Sequence, residues 1–371
     1  MIHVKAVSSK RELGKFIDFP HELYKGDANY VPELFIAQRD ILTKHPFLDH
    51  SAIQPFLAYK DGKVAGRAAA ILNNNHNSFN RVNEGFFGFF DAIDDAEVIE
   101  GLLNEVKEWL TNRGIRTIVG PVNPSTNESC GLLVDGYDKP PVAMMTYNKS
   151  YYGKHIESLG FQKRTDLLAY EIKADTFNDK PIRLLDTLIP RLEQKGITIR
   201  TANLKNFKAE VEGLKEVYNG AWDKNLGFVP MTNAEFNYMA KDLKLILDTD
   251  FCLVAEHNNK IIGFALCIPD INQILIKVRK GRLFPTGIFK LLTQRKRINA
   301  IRILALGVTA PYRKMGIEAV FYGMIIKNGL KKNITTAEAS WILEGNQMMN
   351  RGIESVNGKV YKRYRIYEQQ L

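Results

Sequence analysis

The sequence predicts an α/β protein built twice over, with two tandem domains, each a mixed and mostly antiparallel sheet flanked by helices. Three observations predict it. The chain has 371 residues, 45% hydrophobic and 25% charged, which suffices for two domains with cores of their own and is average for a globular chain. Lys63-Val64-Ala65-Gly66-Arg67-Ala68 resembles Lys260-Ile261-Ile262-Gly263-Phe264-Ala265, and Ile156-Glu157-Ser158-Leu159 resembles Ile353-Glu354-Ser355-Val356, both at an offset of 197 residues. Two matches at one offset argue for an internal duplication. Runs of strand-like and helix-like periodicity then follow one order in both halves.

In the first half, a strand over 2–7 precedes amphipathic helices over 9–25 and 32–44. Strands over 55–60 and 63–73 turn at Asp61-Gly62, a strong hairpin signal. A strand over 84–91 leads to a helix over 95–113, with Asp94 or Asp95 placed to cap its free N–H groups and Gly114 to end it. A strand over 115–120, a long polar loop, a helix over 148–159 and a strand over 161–173 complete this half. A helix within 175–195 is expected to bridge to the second half. There the order returns as strand 197–202, helices 205–224 and 232–247, strands 251–257, 260–268 and 302–309, helix 315–331, strand 335–343, helix 346–356 and strand 359–368. The expected domains are therefore 1–174 and 196–371, joined by 175–195.

Composition excludes several classes. No run approaches the ~18–20 apolar residues of a membrane-spanning helix, and residues 1–20 carry Lys5, Lys10, Arg11 and Lys15 without an apolar run behind them, so neither signal peptide nor anchor is read and the cytoplasm is the expected location. The three cysteines (Cys130, Cys252, Cys267) are far apart and form no CxxC pair, which excludes a disulfide framework. The seven histidines form no metal-ligand spacing, and no metal is expected. The net charge of +10 sits in the second half. Residues 271–317 hold Lys277, Arg279, Lys280, Arg282, Lys290, Arg295, Lys296, Arg297, Arg302, Arg313 and Lys314 with no acidic residue among them. This stretch, 271–302 above all, fits a polyanion, an acidic membrane surface or a partner protein, or is a solvated loop.

The sharpest chemical signal is Val308-Thr309-Ala310-Pro311-Tyr312-Arg313-Lys314-Met315-Gly316-Ile317, between an apolar strand and an apolar helix. A strand that turns through Pro and Gly into a helix N-terminus leaves several N–H groups aimed outward, with the positive end of the helix dipole behind them, a cradle for a diphosphate. Gly316 lets the backbone approach the phosphates, and Arg313 and Lys314 add charge. The first half offers Asp91, Asp94, Asp95 and Glu97 at its own strand-to-helix junction, which repels such a group. Its long loop instead carries Asn123, Asn127, Glu128 and Tyr137, polar residues suited to recognising an acceptor, or to tying the loop down.

At these residues the chain resembles the GNAT acyltransferase superfamily, whose diphosphate loop, Arg/Gln-x-x-Gly-x-Gly/Ala, joins the fourth strand to the third helix. The element order of both halves resembles that fold. The resemblance implies a tandem GNAT protein that takes acetyl-CoA or another acyl-CoA as co-substrate in its second half, held by Val308, Arg313, Lys314, Met315, Gly316, Ile317 and Asn346. An amine of a small, amino-acid-like acceptor then attacks the thioester. Glu344, at the end of the strand bordering the cleft, is the candidate general base. Two departures matter. Glu318 stands where the signature ends in Gly or Ala, and Ile353 stands where the superfamily often carries a proton-donating tyrosine. They leave a non-catalytic ligand-binding scaffold as the alternative. A second alternative, since tandem members include aminoacyl transferases that use aminoacyl-tRNA, places RNA on the basic segment.

Overall fold

The computed structural model describes residues 1–221 and 227–371, and the expected helix end at 222–224 lies outside the described residues. The chain forms a mixed α/β fold with a mostly antiparallel sheet flanked by helices, in two compact units that interleave along the sequence. Unit 1 comprises Met1–Leu167, Asn272–Arg295 and Lys362–Leu371; unit 2 comprises Leu168–Ile271 and Lys296–Tyr361.

The first half runs β1 (Ile2–Ala6), α1 (Lys10–Leu23), α2 (Phe35–Thr43), β2 (Ala52–Lys60), β3 (Lys63–Leu72), α3 (Asn74–Asn80), β4 (Glu84–Ala92), α4 (Ala96–Thr111), β5 (Thr117–Gly120), β6 (Val122–Asn123), β7 (Ser129–Cys130), β8 (Leu132–Asp135), α5 (Tyr152–Ser158) and β9 (Gln162–Lys173). After α6 (Lys180–Glu193) come β10 (Ile197–Thr201), α7 (Phe207–Ala221), α8 (Asn233–Ile246), β11 (Cys252–His257) and β12 (Lys260–Pro269). The chain continues through α9 (Asn272–Leu275), α10 (Ile288–Gln294), β13 (Ala300–Val308), α11 (Ile317–Lys331), β14 (Thr336–Leu343), α12 (Gln347–Glu354) and β15 (Lys359–Gln370). In unit 1 the strand order is β1-β2-β3-β4-β5-β15, closed by the chain's last strand through Tyr367–Gln370 opposite Thr117–Gly120. In unit 2 it is β9-β14-β13-β12-β11-β10.

The two sequence matches have a physical basis. In the β2–β3 hairpin Ala58 pairs with Gly66 but Tyr59 pairs with Val64, so Ala65 is an extra residue; in the β11–β12 hairpin Ala255 pairs with Gly263 but Glu256 with Ile261, so Ile262 is extra. The same bulge recurs 197 residues on. A Cβ on Gly66 would lie 3.1 Å from the Ala92 Cβ and 3.2 Å from the Asp91 carbonyl; one on Gly263 would lie 3.1 Å from both the Gly307 carbonyl and Val308 Cγ2. Close approach of the next strand, not a turn, keeps glycine at both sites. The second match ends two helices alike. Ile156 and Ile353 are 0% and 1% exposed, and the carbonyl of each accepts the N–H five residues on, past a left-handed Gly160 or Asn357, as a helix C-cap requires.

In each unit a long helix packs on an apolar face of the sheet. In unit 1, Val98, Leu102, Val106 and Leu110 of α4 lie on Ala68, Ala70, Phe87 and Ile118, the alanines of β3 making room for the helix. In unit 2, Val320, Phe321 and Ile325 of α11 pack on Ile301, Ile303 and Ala339 and on Leu185 and Leu192 of α6.

Two helical stretches escape the periodicity because they are short and polar or basic. One is α3, capped by Asn73. The other is the segment from α9 to α10, which belongs to unit 1 up to Arg295. Its inner side is anchored there: Lys280 meets Glu22 at 2.5 Å, the Arg282 guanidinium reaches both oxygens of Asp18 at 3.0 Å and stacks 3.4 Å over Phe35, and Asn272 donates to the Pro141 carbonyl. Among the described residues no helix is long and apolar enough to cross a membrane, and no group of three or more His, Cys, Asp or Glu could hold a metal ion.

His21 on α1 lies beside that anchor, its Nδ1 bonded to the Tyr30 hydroxyl at 3.0 Å and its Nε2 buried without a partner. Burial, then Arg67, Arg282 and Lys280, push its pKa down to about 4 against the opposing pull of Glu22.

Two predictions follow from this packing. Gly66→Val forces a side chain to within 2.7 Å of Leu102 Cδ1 and should cost about 1–3 kcal/mol, read as a lower urea midpoint at unchanged slope. His21 takes up a proton near its ordinary pKa when unfolded but only near pH 4 when folded, so stability should fall as pH drops through that window, by up to roughly 3 kcal/mol. His21→Gln should flatten that part of the stability–pH profile, and an unchanged profile would refute the assignment.

Candidate functional site

The site is built where two parallel strands part. β13 and β14 pair from Ala300–Ile303 against Thr336–Ala339 and no further, although β13 runs on to Val308 and β14 to Leu343. On its other edge β13 carries a bulge: Leu266 pairs with Ala305 but Cys267 with Ile303, leaving Leu304 as the extra residue at the apex of the parting. Beyond that apex no described strand pairs with β13 on the side facing away from β12, so its backbone groups there have no ladder partner among the described residues.

At the wide end the chain turns into α11. The Thr309 N–H and hydroxyl both donate to the Ile262 carbonyl, the Tyr312 hydroxyl bonds His257 Nδ1 at 2.8 Å, and Arg313 Nε donates to the Val308 carbonyl at 3.1 Å. These bonds hold the turn rigid. Gly316 is the N-cap of α11 at φ +94°, and no side chain caps the helix. A Cβ on it would also lie 3.1 Å from Leu188 of α6, so both conformation and packing require glycine. Arg313 and Lys314 are exposed, Met315 and Gly316 half-buried and Ile317 fully buried. Glu318 stands half-buried in the first turn. Burial first, then that carboxylate, pushes the Tyr322 hydroxyl up to about 12.

Unit 1 has the same parting, filled by its own chain. β4 and β5 pair only over Glu84–Phe86 and Thr117–Val119, and the bulge on β4 falls at Phe89, with φ +48°. Here the Phe89 N–H donates to Asn123 Oδ1 at 2.6 Å, and β6 lies so close that a Cβ on Gly88 would be 2.1 Å from the Val122 carbonyl. Asp95 caps α4, accepting from the N–H groups of Glu97 and Val98. Every feature left open in unit 2 is thus met by a protein group in unit 1.

The other polar residues of the loop are likewise tied in. Asn123 Nδ2 donates to Ser129 Oγ, the Asn127 N–H to Ser125 Oγ, and the Tyr137 hydroxyl to the Leu133 carbonyl. Glu128 lies 3.4 Å from His45 Nε2. In unit 2, Asn346 caps α12 by accepting from the Met349 N–H at 3.3 Å. Glu344 is exposed just past the end of β14.

At the apex the structure assembles a group that the sequence reading missed. Arg302, Glu338 and Ser340 are 1–2% exposed. They point away from the α11 core, which takes Ile301, Ile303 and Ala339. Arg302 Nε donates to Ser340 Oγ at 3.0 Å, and the Ser340 and Tyr361 hydroxyls both donate to the Glu338 carboxylate. Arg302 and Glu338 are register partners, one residue short of the last pair before the strands part. Charged side chains this deep are kept only when hydrogen-bonded, and Ser340 links the two. The available signal was a charge inside each of two apolar strand runs, Ile301-Arg302-Ile303 and Ala337-Glu338-Ala339.

No family model matches the chain. Protein YghO of Escherichia coli is 36% identical over 377 residues, 99% of this chain and 95% of that protein. Bacterial ceramide synthase of Caulobacter vibrioides is 34% identical over 380 residues, 100% and 98%. Among solved structures, a tandem GNAT protein from the clavulanic acid biosynthesis pathway superposes with a TM-score of 0.60 at 9% identity, covering 100% of this chain and 98% of its own. A GCN5-related N-acetyltransferase from Sphaerobacter thermophilus does so with 0.53 at 14% identity, covering 100% and 95%. The structures establish the GNAT fold and the sequences the closer kinship. The chain has the GNAT fold and belongs to the family that includes YghO and bacterial ceramide synthase.

Proposed function

From that membership we propose that the chain is an acyl-CoA-dependent N-acyltransferase whose chemistry takes place in unit 2, on a long-chain amine. The observation that carries it is the contrast between the partings: the one in unit 1 is filled by Asn123 and β6 and its helix capped by Asp95, while the one in unit 2 ends on the uncapped Gly316. In this reading the diphosphate lies on the N–H groups that open α11, beside Arg313 and Lys314, and the pantetheine runs along the open edge of β13. The thioester reaches the apex beside Leu304.

The acceptor's nitrogen attacks the thioester carbonyl carbon; a C–N bond forms, the C–S bond breaks and the CoA thiolate leaves, to be protonated by water. The proton lost by the amine passes to Tyr361 or Ser340, whose own proton passes to Glu338. This places the proton acceptor at Glu338 rather than Glu344. An acetyl group and a small amine are one form of the reaction. The relative named bacterial ceramide synthase favours a fatty acyl group and a long-chain amino alcohol, since a ceramide is the amide of those two. Ile353 in the tyrosine's place supports the rival reading, a scaffold that binds acyl-CoA without turnover; release of free thiol over a panel of amines separates the two.

Gly316→Asp puts a carboxylate on the amides that the diphosphate needs, as Asp95 does in unit 1, and should weaken CoA binding about tenfold or more by calorimetry. Lys314→Glu, which removes none of the bonds that hold the turn, should act in the same direction. Unchanged affinity in both variants would remove the proposal. Glu338→Gln should lower kcat on the order of a hundredfold while leaving CoA affinity in place, whereas Glu344→Gln should leave kcat unaltered; the reverse pattern would return the base to Glu344.

A further inference from the structure

The segment between β12 and β13 has an outer side as well as an anchored inner one. Phe284, Phe289 and Leu292 are 76%, 70% and 75% exposed. Among the described residues the other large apolar side chains as exposed as these are Met1, Leu245 and Met348, scattered singly through the sequence, as is normal for a protein surface. Three within nine residues is a different matter. Phe289 and Leu292 are three residues apart on α10 and share one face of it.

Charge surrounds this apolar group on one sign only. Lys277, Arg279 and Arg295 are exposed on unit 1, and Lys296 and Arg297 follow at once in the chain, with no acidic residue between 271 and 317. The basic residues that face inward are already matched: Lys280 to Glu22, Arg282 to Asp18, and Lys290 to the Lys277 carbonyl at 2.6 Å. Lys280 and Arg282 thus fasten the segment to α1, while Lys277, Arg279 and Arg295 are exposed along the same stretch of chain as the apolar group. Phe and Leu on one side of a short helix with Lys and Arg at its margins is the pattern that settles into the headgroup region of a bilayer, apolar side chains among the acyl chains and cations among the phosphates. Protein interfaces are depleted of lysine relative to the rest of the surface, and base stacking on RNA would call for more than two aromatic rings.

We propose that the 283–295 face docks the protein on the surface of an anionic lipid bilayer. Docking needs no membrane-spanning helix, and its occupant is identified by chemistry: acidic phospholipid headgroups for Lys277, Arg279 and Arg295, and acyl chains for Phe284, Phe289 and Leu292. If the acceptor is a long-chain amine, this face brings the enzyme to where such a molecule resides, but the docking rests on exposure and charge and not on the acyl-transfer reading.

The test is co-sedimentation of the full chain with vesicles of phosphatidylcholine alone or mixed with phosphatidylglycerol, over a range of salt. The wild-type chain should bind the mixed vesicles, at least tenfold more tightly than the neutral ones, and lose that preference as salt rises. Phe284→Ser combined with Phe289→Ser and Leu292→Ser, all exposed positions, should lower vesicle affinity tenfold or more without shifting the melting temperature or CoA affinity. Lys277→Gln, Arg279→Gln and Arg295→Gln together should abolish the preference for anionic lipid. Absence of vesicle binding by the wild type, or undiminished binding by the serine variant, would overturn the proposal. So would self-association of the wild type that the serine variant abolishes, since the face would then be a contact between copies. None of these readouts requires turnover, so a failed docking test and a failed transferase assay are told apart.

Discussion

Backbone N–H and C=O groups freed where two parallel strands separate have to find partners, and that requirement organises both halves of this protein. β4 leaves β5 after Phe86, and β13 leaves β14 after Ile303. In the first half the chain supplies the partners, spending Asn123 on the Phe89 N–H and Asp95 on the first turn of α4. In the second half β13 runs on past its last pair with β14, and α11 opens on Gly316 with no side-chain cap. One copy has become a closed structural element; under the proposed function, the other keeps its backbone for a ligand that can imitate a strand and bring an anion.

The charges follow the same division. Three of the four carboxylates gathered at the unit 1 junction have partners: Asp91 with Arg67 and Tyr24, Asp94 with His155, and Asp95 with Lys60 and the helix. They form structure where unit 2 leaves cations exposed at Arg313 and Lys314. Burial even pushes the Asp91 carboxyl above its usual range, against the pull of Arg67, as happens to an acid used for packing rather than exchange. Glu318, the residue most at odds with phosphate binding, stays in the first turn of α11, where the helix dipole favours it.

The apex of the parting brings the two faces of the unit 2 sheet to bear on one point. The α11 face is apolar, with Ile301, Ile303 and Ala339, and the opposite face holds Arg302, Glu338, Ser340 and Tyr361 in one hydrogen-bonded group. The Glu338 carboxylate is held in position by the two hydroxyls that donate to it, one of which also accepts from Arg302.

Much of this was legible in the sequence because it depends on neighbours along the chain. Strand and helix periodicities, the Asp61-Gly62 turn, the Asp95 cap and the duplicated Gly66/Gly263 and Ile156/Ile353 signatures are local, and so is the turn into α11 that required Gly316. What the sequence could not order was anything set by distant partners. The last strand, Lys359–Gln370, closes unit 1 against β5 rather than finishing the half in which it lies, and a strand's own periodicity does not name its neighbour across the sheet. Asn123 read as a free polar loop residue because Phe89 is 34 positions away. Arg302 and Glu338 read as isolated charges until parallel register set them side by side. Local chemistry chose the elements of this protein; pairing at long range decided which of their polar groups were used up in holding it together and which were left for chemistry.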